Sequence, residues 1–185
     1  MGSSDGEAYA FAAARFAEAE EPFLGFVFTL STHAPFNVPP EWEPQVNLVE
    51  ETPYLRSLAY ADWALGRFIE DIARAPYFER TILVLVSDHT SGMSGAATDP
   101  VGLHRVPCVI LAPFLTAGSS DRIGSHVDLV PTLMDLAEWK GDYASLGRSL
   151  FEPSQSAAWG SLLVTGAQVS WVSTHGVITR DLLSS

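Results

Sequence analysis

Asp88 and His89 stand side by side immediately after the apolar, β-branched run Thr81-Ile82-Leu83-Val84-Leu85-Val86. A carboxylate oxygen next to an imidazole nitrogen suits a borderline divalent cation such as Zn²⁺ or Mn²⁺. Two ligands do not complete a coordination shell, and no other part of the chain offers a motif of comparable placement for the third and fourth. The same pair can be read without a metal, as a helix cap beside a surface histidine. His33, in Ser31-Thr32-His33-Ala34-Pro35-Phe36, also follows an apolar run, Phe23 to Leu30. An imidazole there could donate to an anionic ester oxygen or act as an acid or base, or simply be a loop histidine bonded to backbone. His104, His126 and His175 are expected to be structural. The nearest approach to a nucleophile elbow, Gly92-Met93-Ser94-Gly95-Ala96, lacks the final glycine and has no strand and helix around it. No phosphate-cradling P-loop and no G-x-G-x-x-G follows a strand, so a self-contained hydrolase is not supported.

These residues have to be positioned by regular elements, and the hydrophobic pattern supplies them. Ser4 followed by Glu7 fits a capping box, and Ala8, Phe11, Ala12, Phe16 and Ala19 recur at helical spacing, which predicts a helix over residues 5–20 ended by Pro22. Phe23 to Leu30 reads as a strand buried on both faces. Residues 31–53 are proline-rich and loop-like, and loops of that length in compact domains usually carry function. Leu55, Leu58, Ala61, Leu65, Phe68, Ile69 and Ile72 then mark a helix to about Arg74, with Pro53 available as its first residue. Thr81 to Val86 and Pro107 to Ala112 read as further buried strands, and Asp128 to Glu138 as a helix that tolerates Pro131 in its first turn. Trp159 to Thr165 and Gln168 to Ile178 read as peripheral strands or a hairpin. Strands alternating with helices predict an α/β fold with a mostly parallel sheet, helices on both faces and a small C-terminal β extension. Ligands of such sheets gather beyond the carboxyl ends of the strands, where Ser31–His33 and Ser87–His89 both fall.

Composition narrows the partners. At 185 residues and 47% hydrophobic, the chain is expected to form one domain, residues 1–185, with a real core. A net charge of −12 repels a nucleic acid duplex, so no nucleic acid partner is expected, and an anionic substrate needs a metal or local positive charge. Cys108, the single cysteine, lies in an apolar run and reads as a buried core residue. The chain carries neither a signal-like N-terminus nor a run of the roughly 20 apolar residues that crosses a bilayer.

Several stretches taken in order carry a resemblance. Thr29-Leu30-Ser31-Thr32-His33-Ala34-Pro35-Phe36 is followed by a helix with Tyr60, Asp62, Leu65 and Gly66, then by Ser87-Asp88-His89 at a strand end and by Arg105-Val106-Pro107. Ser125-His126-Val127-Asp128-Leu129-Val130-Pro131-Thr132-Leu133 and Gly147-Arg148-Ser149-Leu150 complete the series. Across residues 23–151 this order resembles the lipoteichoic-acid-synthase-like members of the sulfatase and alkaline phosphatase superfamily. The resemblance implies an alkaline-phosphatase-like fold that transfers or hydrolyses phosphate or sulfate esters through a covalent intermediate. It implies a divalent metal held by Asp88 and His89, with Mn²⁺ or Zn²⁺ favoured and Mg²⁺ or Ca²⁺ as alternatives. His33 matches the histidine that contacts the substrate phosphate. The substrate would be an anionic ester, a phosphoglycerol lipid or a sulfate ester. The remaining acidic ligand and the nucleophile lie, in that family, in an N-terminal half of the domain that this chain lacks, and the Cys or Ser sulfatase signature is absent. The parent would work at the outer face of the cytoplasmic membrane or in the periplasm. The alternative is a non-catalytic metal- or anion-binding module that retains the fold.

Overall fold

The computed structural model describes residues 4–42, 52–90, 101–152 and 159–183. The chain divides into two compact units, Met1–Arg80 and Thr81–Ser185.

The first unit is built on two helices. Helix α1 (Asp5–Glu18) starts on the expected capping box: the Glu7 N–H donates to Ser4 Oγ, and the Ser4 N–H donates to Glu7 Oε2. Helix α2 (Pro53–Ile72) starts with Thr52 as N-cap and Pro53 in its first turn, where a missing N–H costs nothing. The two pack through Tyr9 stacked on Phe68 at 4.7 Å between ring centroids, with Phe16 edge-on to Phe68. A second cluster joins Trp42, Tyr60 and Ala64, all buried, with Arg56 lying over the Trp42 ring.

Phe23–Leu30 departs from the expected buried strand. The segment is extended but has no ladder partner among the described residues, and its apolar side chains face outward: Leu24 is 84% and Phe26 86% exposed. An apolar run makes a segment competent for a buried strand, but burial on both faces requires neighbours that cover it. What fixes this segment instead is a side chain. The buried Asp5 carboxylate accepts the Leu30 N–H at 3.0 Å and the Ser31 N–H at 2.9 Å through the same oxygen, while Ser31 Oγ accepts the Asp5 N–H. Burial first, and then the Asp5 carboxylate, push the Tyr9 phenol above its ordinary value, opposed by a hydrogen bond with Thr29.

Asp5 therefore carries a stability prediction. Asp5→Ala leaves the buried Ser31 N–H and the part-buried Leu30 N–H without their acceptor and is expected to cost about 2 kcal/mol, whereas Asp5→Asn keeps a carbonyl oxygen at the accepting position and recovers part of that. Urea unfolding midpoints of the two variants check the order.

The second unit holds the strands. β1 (Leu83–Val86) pairs with β2 (Cys108–Leu111) in antiparallel register, Leu83 opposite Leu111 and Val86 opposite Cys108. This pair runs antiparallel within a fold expected to be mostly parallel. Apolar runs report burial but not strand direction, and every pairing among the described residues is antiparallel. Cys108 is also corrected: at the end of β2 it is exposed rather than in a core, although the desolvation it retains pushes its thiol above the ordinary value. A 3₁₀ turn, His126–Asp128, leads into helix α3 (Leu129–Leu136), with Pro131 in the first turn. The C-terminal extension is a three-stranded antiparallel meander, β3 (Gly160–Thr165), β4 (Gln168–Ser173) and β5 (Gly176–Asp181). Its first hairpin turns at Gly166, whose φ of 58° suits glycine.

Candidate functional site

β1 ends at Val86, and Asp88 and His89 follow it after the single residue Ser87. Both side chains are exposed, with Asp88 Oδ2 3.5 Å from His89 Nε2. The other carboxylate oxygen, Oδ1, accepts the His89 backbone N–H at 2.8 Å. His89 Nδ1 lies 2.7 Å from the Thr90 carbonyl and can only be the donor there. Nδ1 being taken up by Thr90, Nε2 is the ring nitrogen turned toward the carboxylate. Two ligand atoms about 2.1 Å from one tetrahedral ion stand roughly 3.4 Å apart, so the Asp88 Oδ2 to His89 Nε2 separation is one a divalent cation could bridge. The backbone carbonyl that orients the imidazole is the usual outer partner of a metal-bound histidine. No group of three or more His, Cys, Asp or Glu side chains arranged to hold a metal occurs among the described residues. Asp88 and His89 alone would thus furnish part of a shell.

The loop is tied on both sides. Thr90 Oγ1 donates to the Leu103 carbonyl at 2.7 Å, and His126 Nε2 lies 2.8 Å from the Ser87 carbonyl. His126, expected to be merely structural, therefore touches the residue next to Asp88, a long-range contact that no local spacing announces. His104 Nε2 pairs with Thr165 Oγ1 at 2.8 Å, and the His175 N–H donates to Ser173 Oγ. The glycine–serine stretch Gly92–Ala96 lies outside the described residues.

His33 belongs to the first unit and is described within it. It sits in a tight turn, its N–H donating to the Leu30 carbonyl at 3.0 Å and its own carbonyl accepting from Phe36, whose φ of 63° is unusual for a side chain of that size. Its Nδ1 is 2.8 Å from the Ala34 carbonyl, which again makes Nδ1 the donor. Donation to an anionic oxygen would then have to come from Nε2, and so from the imidazolium form, in which both nitrogens carry protons. The side chain is exposed and lines an open cleft of about 1230 Å³ bounded also by Trp42, Tyr60, Trp63 and Arg67. Arg67 Nη1 lies 3.3 Å from Glu70 Oε2, and Glu7, Glu41 and Asp71 line the same cleft.

Comparison with known proteins places this geometry in a family. The sulfatase family model matches residues 2–139. Lipoteichoic acid synthase 1 of Bacillus subtilis is 25% identical over 153 residues, covering 71% of this chain and 24% of that protein. The lipoteichoic acid synthase-like protein YvgJ of the same organism is 30% identical over 148 residues, covering 66% of this chain and again 24% of its own length. A solved structure of an alkaline phosphatase superfamily protein from Vibrio parahaemolyticus superposes with a TM-score of 0.83 at 25% identity, over 97% of this chain and 45% of that one. The chain thus spans about a quarter of the curated relatives' length. Because the family model covers most of the chain and the fold superposes over nearly all of it, this α/β chain belongs to the sulfatase family, within the alkaline phosphatase superfamily and its lipoteichoic-acid-synthase-like branch.

Proposed function

We propose that the chain is part of a catalytic domain that transfers or hydrolyses phosphate esters, phosphoglycerol in particular, with Asp88 and His89 as metal ligands and His33 contacting the substrate phosphate. The observation that carries this reading is the oriented pair beyond the end of β1: a carboxylate oxygen and an imidazole Nε2 3.5 Å apart, with the other imidazole nitrogen held by a backbone carbonyl. A bound divalent ion would supply charge stabilisation for the transferring group and activation of the attacking oxygen. The mixed oxygen and nitrogen donor set favours Mn²⁺ or Zn²⁺ over Mg²⁺ or Ca²⁺. His33, as the imidazolium, would donate from Nε2 to a non-bridging oxygen while Ala34 holds its ring in place. The resemblance to proteins named lipoteichoic acid synthases supports phosphoglycerol over a sulfate ester as the group moved.

On this reading the two units are parts of one catalytic domain, and the nucleophile and the remaining acidic ligand come from polypeptide outside these residues. The same polypeptide would cover the exposed face of Phe23–Leu30. We place the parent protein at the outer face of the cytoplasmic membrane or in the periplasm. Among the described residues no helix is long and apolar enough to cross a membrane. The test is ester turnover by a polypeptide carrying the complete domain, measured with a phosphoglycerol lipid and with an aryl sulfate in the presence of Mn²⁺ or Zn²⁺. Phosphoglycerol release that a chelator stops is expected; turnover indifferent to chelation would overturn the metal assignment. The second reading is a non-catalytic metal- or anion-binding module that retains the fold. Metal binding without turnover of either ester by the complete domain would select it.

The exposed Phe23–Leu30 segment gives a further expectation. Leu24, Phe26, Phe28 and Leu30 alternate outward along an unpaired extended segment, a template for edge-to-edge association. In sedimentation velocity the 185-residue chain should self-associate as its concentration rises, and the double variant Leu24→Lys, Phe26→Lys should be largely monomeric at the same concentration.

A further inference from the structure

We propose that His126 is a positioning residue for the metal-ligand loop, its Nε2–H fixing the Ser87 carbonyl and with it the direction in which Asp88 and His89 leave β1. The inference rests on Asp88 and His89 being the ligands, but its geometric part stands apart from any metal. His126 Nε2 is 2.8 Å from the Ser87 carbonyl oxygen, and a carbonyl only accepts, so Nε2 carries the proton. The bond spans 39 residues of sequence and meets the loop at the peptide joining Ser87 to Asp88. Rotation of that peptide would swing both proposed ligands away from their common focus. On the far side of the loop Thr90, through its bond to Leu103, offers a comparable tie.

A positioning residue has to be held itself, and His126 is. It opens a 3₁₀ turn whose last residue, Asp128, is buried. One Asp128 carboxylate oxygen accepts the Ser125 N–H at 2.8 Å, and the other accepts the Arg148 N–H at 2.9 Å. The Asp128 carbonyl accepts from the buried Thr132 hydroxyl, whose oxygen in turn accepts the Leu150 N–H. The turn is therefore clamped between α3 and the Gly147–Leu150 segment, and His126 projects from a rigid base. Three sequence stretches that look independent, at residues 87–89, 125–133 and 147–150, act as one support. Such outer contacts around metal ligands are typically worth ten- to a hundredfold in metal affinity.

The experiment compares wild type, His126→Ala and His126→Gln in the 185-residue chain, because a glutamine amide can donate from near the position of Nε2. The first readout is metal-free: backbone ¹⁵N order parameters of Asp88, His89 and Thr90. They should stand near about 0.85 in wild type, fall towards about 0.6 in His126→Ala and recover in His126→Gln. In wild type the His126 Nε2 ¹⁵N shift should be that of a protonated nitrogen. The second readout is titration with Mn²⁺, where His126→Ala should bind about tenfold more weakly than wild type. Order parameters that do not change in His126→Ala, or that fall equally in His126→Gln, overturn the proposal, as does an unprotonated Nε2. If the loop loosens and recovers as expected while none of the three proteins binds Mn²⁺, the positioning geometry is upheld and it is the metal assignment under Proposed function that fails.

Discussion

Replacing Asp88 by alanine in a polypeptide that carries the complete domain is expected to lower phosphoester turnover by about three orders of magnitude, because charge stabilisation by a metal is worth several kcal/mol in the transition state. The mutation removes an anionic ligand and leaves His89 Nε2 with no neighbour to share the ion. It also removes the acceptor of the His89 backbone N–H, so the histidine loses part of its orientation. Asp88→Asn keeps an oxygen for that N–H but not the charge. It should therefore retain more loop order than alanine yet recover little activity, which separates the electrostatic role from the architectural one. His89→Ala should resemble Asp88→Ala in turnover. Both side chains are exposed, so thermal unfolding midpoints of the three variants should stay close to wild type. Turnover within tenfold of wild type for Asp88→Ala would remove Asp88 from the metal site.

The parts of the fold that sequence could announce are those written in local chemistry. Helix α1 was legible because Ser4 and Glu7 cap each other within four residues, and α2 because Thr52 and Pro53 open a stripe of apolar side chains one helical turn apart. The end of β1 was legible for a similar reason: a β-branched run stops where Ser87, Asp88 and His89 begin. Phe23–Leu30 shows where this reasoning gives out. Its composition suits a covered strand, but coverage is a property of neighbours, and Leu24 and Phe26 stand in solvent. Direction is equally silent, since the residues of β1 and β2 suit either sense, and the ladder turns out antiparallel. In the candidate site, adjacency made Asp88 and His89 candidates with a metal-free reading open beside it, and it was the resemblance that implied their role as ligands. The reach of His126 to Ser87, the clamp around Asp128 and the grip of Asp5 on Leu30 and Ser31 were not legible, because each joins residues at least 20 positions apart or depends on a turn that only tertiary contacts define.

Gly147 is the position where the smallest substitution should do the most damage to the second unit. A Cβ built there would lie 2.0 Å from the Val127 carbonyl oxygen and 2.7 Å from the Asp128 nitrogen, and both are backbone atoms that cannot rotate aside. The requirement is close approach rather than an unusual dihedral. Gly147 brings its segment near enough for the Arg148 N–H to reach the buried Asp128 carboxylate and for Ser145 Oγ to donate to the Val127 carbonyl. Gly147→Ala must push the strands of chain apart and is expected to cost about 3 kcal/mol, the sum of an overpacking penalty and a weakened hydrogen bond to a buried carboxylate. Asp128→Ala should cost a similar amount by removing the same bonds from the other side, and the double variant should cost clearly less than the sum, since both substitutions break one clamp. The clamp also carries His126, so the consequence should extend beyond stability: in Gly147→Ala the order parameters of Asp88 and His89 should drop as they do in His126→Ala. Urea unfolding of the two single variants and the double, read beside loop order, measures the coupling. Strict additivity would mean that Gly147 and Asp128 support the turn independently.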